Sequence, residues 1–299
     1  MSNYVVHIGG PTASGKTSLA VALALHYNCE VISADSRQFY REISIGTAKP
    51  TEAEQQSVKH HMIDTLSIHD AYSAGHFERD TIALIDQLTQ SHNLVIVVGG
   101  TGLYYRAIYQ GFDEYPSVPK SIVERYTQQL ETEGITLLQD ELKARDPEYA
   151  AKVDLSNGHR LIRALSLIES SGKRFSSFQS ADNVERSFTS IKLAIDINRD
   201  TLYDRINTRV DQMIEDGLID EVRRVYPHRD LNSLNTVGYK ELFSHFDGDY
   251  DLDTAIDKIK QHTRNYAKRQ STWFRNQDNW AKTNGIEDAI AKIDGIIHE

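Results

Sequence analysis

The chain of 299 residues has one cysteine, Cys29, and that scarcity excludes an intrachain disulfide and a four-ligand zinc ribbon. Cys29 opens the stretch CEVISAD and is read as a small, half-buried core residue. No apolar run approaches the roughly 18–20 residues that a membrane span needs. The opening MSNYVVHIGG has neither the basic segment nor the small-residue cleavage site of a signal peptide. These absences give the expectation of a soluble, reduced, cytoplasmic protein. The 12 histidines fall at no metal-ligand spacing, with His60 and His61 adjacent, and are read as structural. No internal repeat or low-complexity tract is visible. Positive charge is also short: a net charge of −10 argues against a protein that coats nucleic acid without selectivity. The composition, 39% hydrophobic and 25% charged, is globular, and the length allows one large core with a small satellite domain.

What is present begins at Gly10, Pro11, Thr12, Ala13, Ser14, Gly15, Lys16 and Thr17, which spell G-x-x-x-x-G-K-[ST]. Glycines let backbone N–H groups turn inward around anionic oxygens, and the helix that follows adds its N-terminal dipole. Lys16 adds a point charge, and the Thr17 hydroxyl is placed to bind Mg²⁺. The context supports the motif, since a strand over Tyr4–Ile8 precedes the loop and a helix over Ser18–Tyr27 follows it. Read alone, the loop is an ATP or GTP site.

The sequence predicts further strands ending at Asp35 (EVISAD), in NLVIVVGGTG and over residues 191–197, with helical periodicity between them. Alternation of this kind predicts an α/β fold, a P-loop NTPase-like parallel sheet flanked by helices. Between Asp113 and Ser190 no strand is convincing, and Ile122, Tyr126 and Leu130 mark a helix. Residues 113–190 are therefore expected to form a small all-helical insertion domain in a core made of 1–112 and 191–299. Residues 199–226 predict one long amphipathic helix with Leu202, Ile206, Val210 and Met213/Ile214 on its apolar face.

P-loop enzymes that hydrolyse or transfer phosphate usually hold Mg²⁺ with an aspartate closing a neighbouring apolar strand. Here that strand ends VIVVGGTG, with Thr101 in place of an acid, and the acid stands instead at Asp35. Asp35 has two readings, a functional carboxylate at the sheet edge and a turn or N-cap aspartate. Arg205 and Arg209 lie four residues apart on one helical face, suited to clamping a diphosphate or to pairing with acids such as Asp204. Residues 258–277 hold six Lys/Arg and no acid, with Tyr266, Trp273 and Phe274 interleaved. Such a stretch suits RNA, through phosphate contacts and aromatic surfaces, or is simply a basic surface helix. His159, Arg160 and Arg163, near Lys173 and Arg174, make a second, weaker basic cluster.

The blocks GPTASGKT, ISADSRQFY, IGTAKP, VGGTGLY, RLIRAL, TVGYKE and RNYAKRQSTWFR, in order from Gly10 to Arg275, resemble the signatures of tRNA dimethylallyltransferases (tRNA isopentenyltransferases). The resemblance is to the bacterial form, since eukaryotic members often add a zinc finger, for which the single Cys29 is too few cysteines. It implies transfer of a dimethylallyl group from dimethylallyl diphosphate to N6 of the adenosine 3′ of the anticodon, in tRNAs reading codons that begin with U. Diphosphate is released. It further implies Asp35 as general base, with Thr101 and Arg205 also catalytic. Residues Gly10 to Thr17 and Arg209 would hold the diphosphate, and Mg²⁺ would sit on Thr17. The tRNA anticodon stem-loop would meet Asp35, Ser36, Arg37, Gln38 and Thr101 around a flipped base. Val123 and the run His159, Arg160, Leu161, Ile162 and Arg163 would hold the anticodon arm. So would Thr236, Val237, Gly238, Tyr239, Lys240 and Glu241, and Lys268, Arg269, Gln270, Trp273 and Arg275. Many members carry an Asn-Asp pair ahead of the insertion's arginine; this chain has LSNGHRLIRAL and keeps Arg160. A monomer with no membrane partner is expected. Two rivals differ in class. A small-molecule or nucleoside kinase leaves the basic C-terminal stretch unexplained, and an RNA-binding module without chemistry does not require Asp35.

Overall fold

A computed structural model describes residues 3–113, 115–179, 184–277 and 279–298. Its centre is a parallel sheet of β1 (Tyr4–Gly9), β2 (Val31–Ser33), β3 (His60–His61), β4 (Leu94–Val98), β5 (Thr189–Ile195) and β6 (Ala281–Thr283). The order across the sheet is β3-β2-β4-β1-β5-β6. Val6 stands opposite Ile96 on one side of β1 and Ile191 on the other. Both neighbours bury β1, which is why VVHI and LVIVV are continuous rather than alternating apolar runs.

Around the sheet run α1 (Lys16–Tyr27), α2 (Glu52–Ser57), α3 (Ala74–Leu88) and α4 (Gly102–Tyr109). The chain then forms α5 (Lys120–Glu133), α6 (Ile135–Arg145), α7 (Pro147–Ala150) and α8 (Gly158–Ser171). It returns through β5 to α9 (Arg199–Glu215), α10 (Leu218–Val225), α11 (Tyr239–Phe246), α12 (Leu252–Arg275) and α13 (Ile286–Ile297). The fold is that of a P-loop α/β protein. The single helix expected over 199–226 is broken: Gly217 takes φ 98, ending α9 and redirecting the chain into α10. The turn sends Leu218, Val222 and Val225 into a cluster with Tyr40, Leu242 and Ile259. No helix of the described residues is long and apolar enough to cross a membrane.

The chain divides into two compact units, 1–110 with 185–299, and 111–184. The first keeps its main core between the sheet and helices α1 and α13, where Ile8, Ile96 and Leu193 meet Leu23 and Ile293. The second is helical, built on Tyr126, Leu138, Leu142, Leu161, Leu165 and Phe175. Its limits fall short of 190 because Thr189 and Ser190 already pair with β1 as part of β5.

Candidate active site

The loop after β1 is shaped by three left-handed or extended-positive residues: Gly10 at φ 149, Ala13 at φ 62 and Gly15 at φ 93. Ala13 is the costly one, since a side chain there strains the backbone by about 1–2 kcal/mol. Its methyl group is buried among Leu202, Ile206 and Ala267, which hold it in place. Helix α1 starts at Lys16 with no side-chain cap, so the orphan N–H groups of its first turn face the loop. The Ser14 hydroxyl is buried and has no hydrogen-bond partner among the described residues. Lys16 Nζ donates to the Pro11 carbonyl at 2.6 Å. Burial pushes its pKa down to about 7, with Asp35 pulling it up and Arg209 pushing it further down. Burial lowers the Arg209 pKa as well. Two desolvated cations and an uncapped helix start are groups that a multiply charged anion would satisfy.

Among the described residues no group of three or more His, Cys, Asp or Glu could hold a metal by itself. The Thr17 hydroxyl, at the cavity wall, fits Mg²⁺ in the way that ion is usually held: few protein ligands, with phosphate oxygens and water completing the octahedron.

Facing the loop are the segments after β2 and β4. The strand ends at Ser33, so Asp35 stands two residues beyond it rather than at its tip. Asp35 Oδ1 accepts the Arg37 N–H at 2.9 Å, so the turn role is real, and the same carboxylate also lines the cavity. Burial raises its pKa, outweighing the Arg37 N–H and the charges of Lys16 and Arg37. Thr101, the N-cap position of α4, receives the Ser36 N–H on its hydroxyl at 3.2 Å. Arg37 donates to the carbonyls of Asn232, Ser233 and Asn235 at 3.0–3.1 Å. Gln38 accepts from Ser33 Oγ at 2.9 Å and donates to the carbonyls of Thr47 and Ala48. Both side chains, expected to meet a base, are engaged in holding neighbouring loops.

The cavity of about 420 Å³ between these walls brings together Thr12, Lys16, Thr17, Asp35, Ser36, Arg37, Gln38, Arg209, Thr236, Val237, Gly238, Lys240, Arg269 and Gln270. Its apolar side is made by Val210, Met213, Leu218, Val237 and Ile259, all packed in one cluster. Arg205 lies on the outer side of the loop, in a second cavity with Ala13, Gly15 and Arg209.

Several expected tRNA contacts are inside the protein. The Tyr239 hydroxyl donates to Glu221 at 2.6 Å, and Glu241 accepts the Gly238 N–H at 2.7 Å and pairs with His262. Leu161 and Ile162 are core residues of the helical unit, whereas His159, Arg160 and Arg163 on the same helix are exposed. Val123 is exposed at 38%. On α12, Lys268, Arg269 and Arg275 are exposed, Trp273 is half-buried and Gln270 is 6% exposed. An apolar or uncharged residue inside a basic stretch faces the core because the helix must bury one side.

Sequence reasoning missed Glu221. Its buried carboxylate accepts the N–H groups of Ser44, Ile45 and Gly46 at 2.8–3.0 Å. It thereby fixes the loop whose residues Gly46, Thr47, Ala48 and Pro50 line the cavity. The only signal was the block IGTAKP itself, with nothing to say what held it.

A family model described as IPP transferase matches residues 38–277. A tRNA dimethylallyltransferase of Christiangramia forsetii is 52% identical over 275 residues, covering 92% of this chain and 91% of that one. One of Flavobacterium psychrophilum is 45% identical, covering 93% and 92%. The crystal structure of a tRNA isopentenylpyrophosphate transferase from Bacillus halodurans superimposes with a TM-score of 0.73 at 37% identity, covering 99% of this chain and 96% of that one. A eukaryotic dimethylallyltransferase captured acting on tRNA gives a TM-score of 0.83 at 25% identity, covering 99% and 79%. Uncapped phosphate loop, buried acid and family match agree, and the chain belongs to the IPP transferase family, the prenyl-transferring tRNA dimethylallyltransferases.

Proposed function

We propose that the chain transfers a dimethylallyl group from dimethylallyl diphosphate to the exocyclic N6 of an adenosine in tRNA, releasing diphosphate. The observation that carries this reading is the shared cavity: a phosphate cradle, a buried carboxylate and an apolar wall open into one space. The cradle serves the leaving group, with Lys16, the loop N–H groups and Arg209 opposing the charge that builds on diphosphate as the C1–O bond breaks, and Arg205 adding its charge from the second cavity beside Ala13 and Gly15. Thr17 would hold Mg²⁺, which when bound supplies further neutralisation of the diphosphate oxygens. The adenine amine is a weak nucleophile because its lone pair is shared with the ring. Asp35 accepts its proton as the N6–C1 bond forms. A raised pKa suits a carboxylate for that task.

The base leaves its stack to reach the cavity. The target is the adenosine 3′ of the anticodon in tRNAs reading codons that begin with U. Exposed Lys268, Arg269 and Arg275 on α12 supply phosphate contacts. Incubation of the purified chain with dimethylallyl diphosphate, Mg²⁺ and unmodified tRNA should yield N6-dimethylallyladenosine, detected by mass spectrometry of the nucleosides. Absence of that nucleoside, together with ATP turnover on a small acceptor, would establish a kinase instead.

A further inference from the structure

The residues of YAKRQSTWFR divide by helix face. Ala267, Gln270 and Phe274 are buried, while Lys268, Arg269, Thr272 and Arg275 are exposed. The buried face lies against the phosphate loop and the 100–102 segment: Ala267 packs with Ala13. A Cβ on Gly102 would stand 2.4 Å from the Trp273 ring, and one on Gly100 would stand 2.2 Å from Gln270 Nε2. Glycine at both positions lets α12 approach closer than a side chain allows. Between them the Gln270 amide bridges two loops. Its Oε1 accepts the Thr12 N–H at 2.8 Å, and its Nε2 donates to the Gly100 carbonyl at 2.9 Å. The partners fix the amide orientation, since an N–H only donates and a carbonyl only accepts.

We propose that Gln270 is a positioning residue of the donor site, its amide holding the Thr12 and Gly100 peptides in register so that the phosphate loop is preset to receive diphosphate. This role rests on the reading of residues 10–17 as a diphosphate cradle. Thr12 adjoins Ala13, and a strained residue keeps its conformation only where its surroundings over-determine it. Gly100 leads into Thr101, whose hydroxyl takes the Ser36 N–H. One amide thus ties the donor loop to the segment that carries Asp35. Gln270 faces inward to the phosphate loop, while Lys268 and Arg275 on the same helix are exposed.

Gln270→Met keeps the side-chain length and removes the amide. Calorimetry with Mg²⁺ and inorganic diphosphate should show binding about tenfold weaker, with tRNA affinity and its salt slope held within about twofold. Gly100→Ala pushes Nε2 aside and should weaken diphosphate alike, yet add nothing in a Gln270→Ala background, because the amide it displaces is already gone. General destabilisation would instead add in the double variant and weaken both ligands together, and that result overturns the proposal. So does a Gln270→Met variant that loses tRNA affinity and keeps diphosphate, or one that loses neither. Should Gln270→Met not fold, Gly100→Ala alone decides. Hydrogen exchange on the ligand-free chain separates this proposal from the donor reading. Thr12 N–H should be protected in the parent and exchange faster in the Gln270 variant. Fast exchange in the parent removes the proposal; a protected Thr12 N–H in a parent that binds no diphosphate removes the donor reading instead.

Discussion

The phosphate loop and the segment 34–38 face one cavity, and they use their polar groups in opposite ways. In the loop, the Ser14 hydroxyl has no partner among the described residues and α1 has no side-chain cap. In the facing segment, Arg37 holds three carbonyls and Gln38 three further groups. A polar group left without a protein partner is available to a ligand, because burying it unpaired costs free energy that a ligand recovers. A polar group with several partners shapes the wall. Asp35 stands between these cases, since one oxygen takes the Arg37 N–H while the carboxylate still lines the cavity.

That contrast can be broken by mutation. Asp35→Ala should lower the transfer rate by about 10²–10⁴-fold, the usual loss when a general base is removed, and filter binding should find tRNA affinity unchanged. Lys16→Met should lower turnover by about 10²–10³-fold. It should also raise the melting temperature of the ligand-free protein. The folded-state pKa of Lys16 lies near 7, below its unfolded value, so the charged side chain opposes folding. The penalty is absent at high pH, grows as pH falls and is complete below about 7, and the gain should therefore be larger at pH 6 than at pH 9. Activity should follow both groups: kcat/KM rises with pH as the raised Asp35 carboxyl ionises and falls above about pH 7 as free-enzyme Lys16 loses its proton.

Arg37→Ala tests the other side of the contrast. Loss of a charged donor from three carbonyls should cost about 1.5–3 kcal/mol of stability, measured by denaturant unfolding. The smallest effect belongs to the outer face of α12, where Lys268→Ala should lower the slope of log affinity for tRNA against log salt by about 1.

What could be read from the sequence follows how local each feature is. The phosphate loop, β1 and β4 are contiguous, and their apolar runs and glycines carry their own signal. The break at Gly217 was hidden because the helical period continues on both sides of it. Strands β3 and β6, two and three residues long at the sheet edges, are too short to show a period. The roles of Glu221 and Gln270 depend on partners 170 or more residues away in sequence. Gln270 in particular sits among lysines and arginines, and its burial follows from glycines in another segment.

The most direct test compares the two regions in one experiment: single-turnover dimethylallyl transfer at saturating tRNA and donor for Asp35→Ala beside Arg37→Ala, with the melting temperature of each. Asp35→Ala should lose the rate with a smaller change in melting temperature than Arg37→Ala, its lost bond to the Arg37 N–H being offset by relief of a buried charge, while Arg37→Ala should lose stability and keep most of its rate once folded. An Asp35→Ala protein that transfers at the parent's rate would contradict the account.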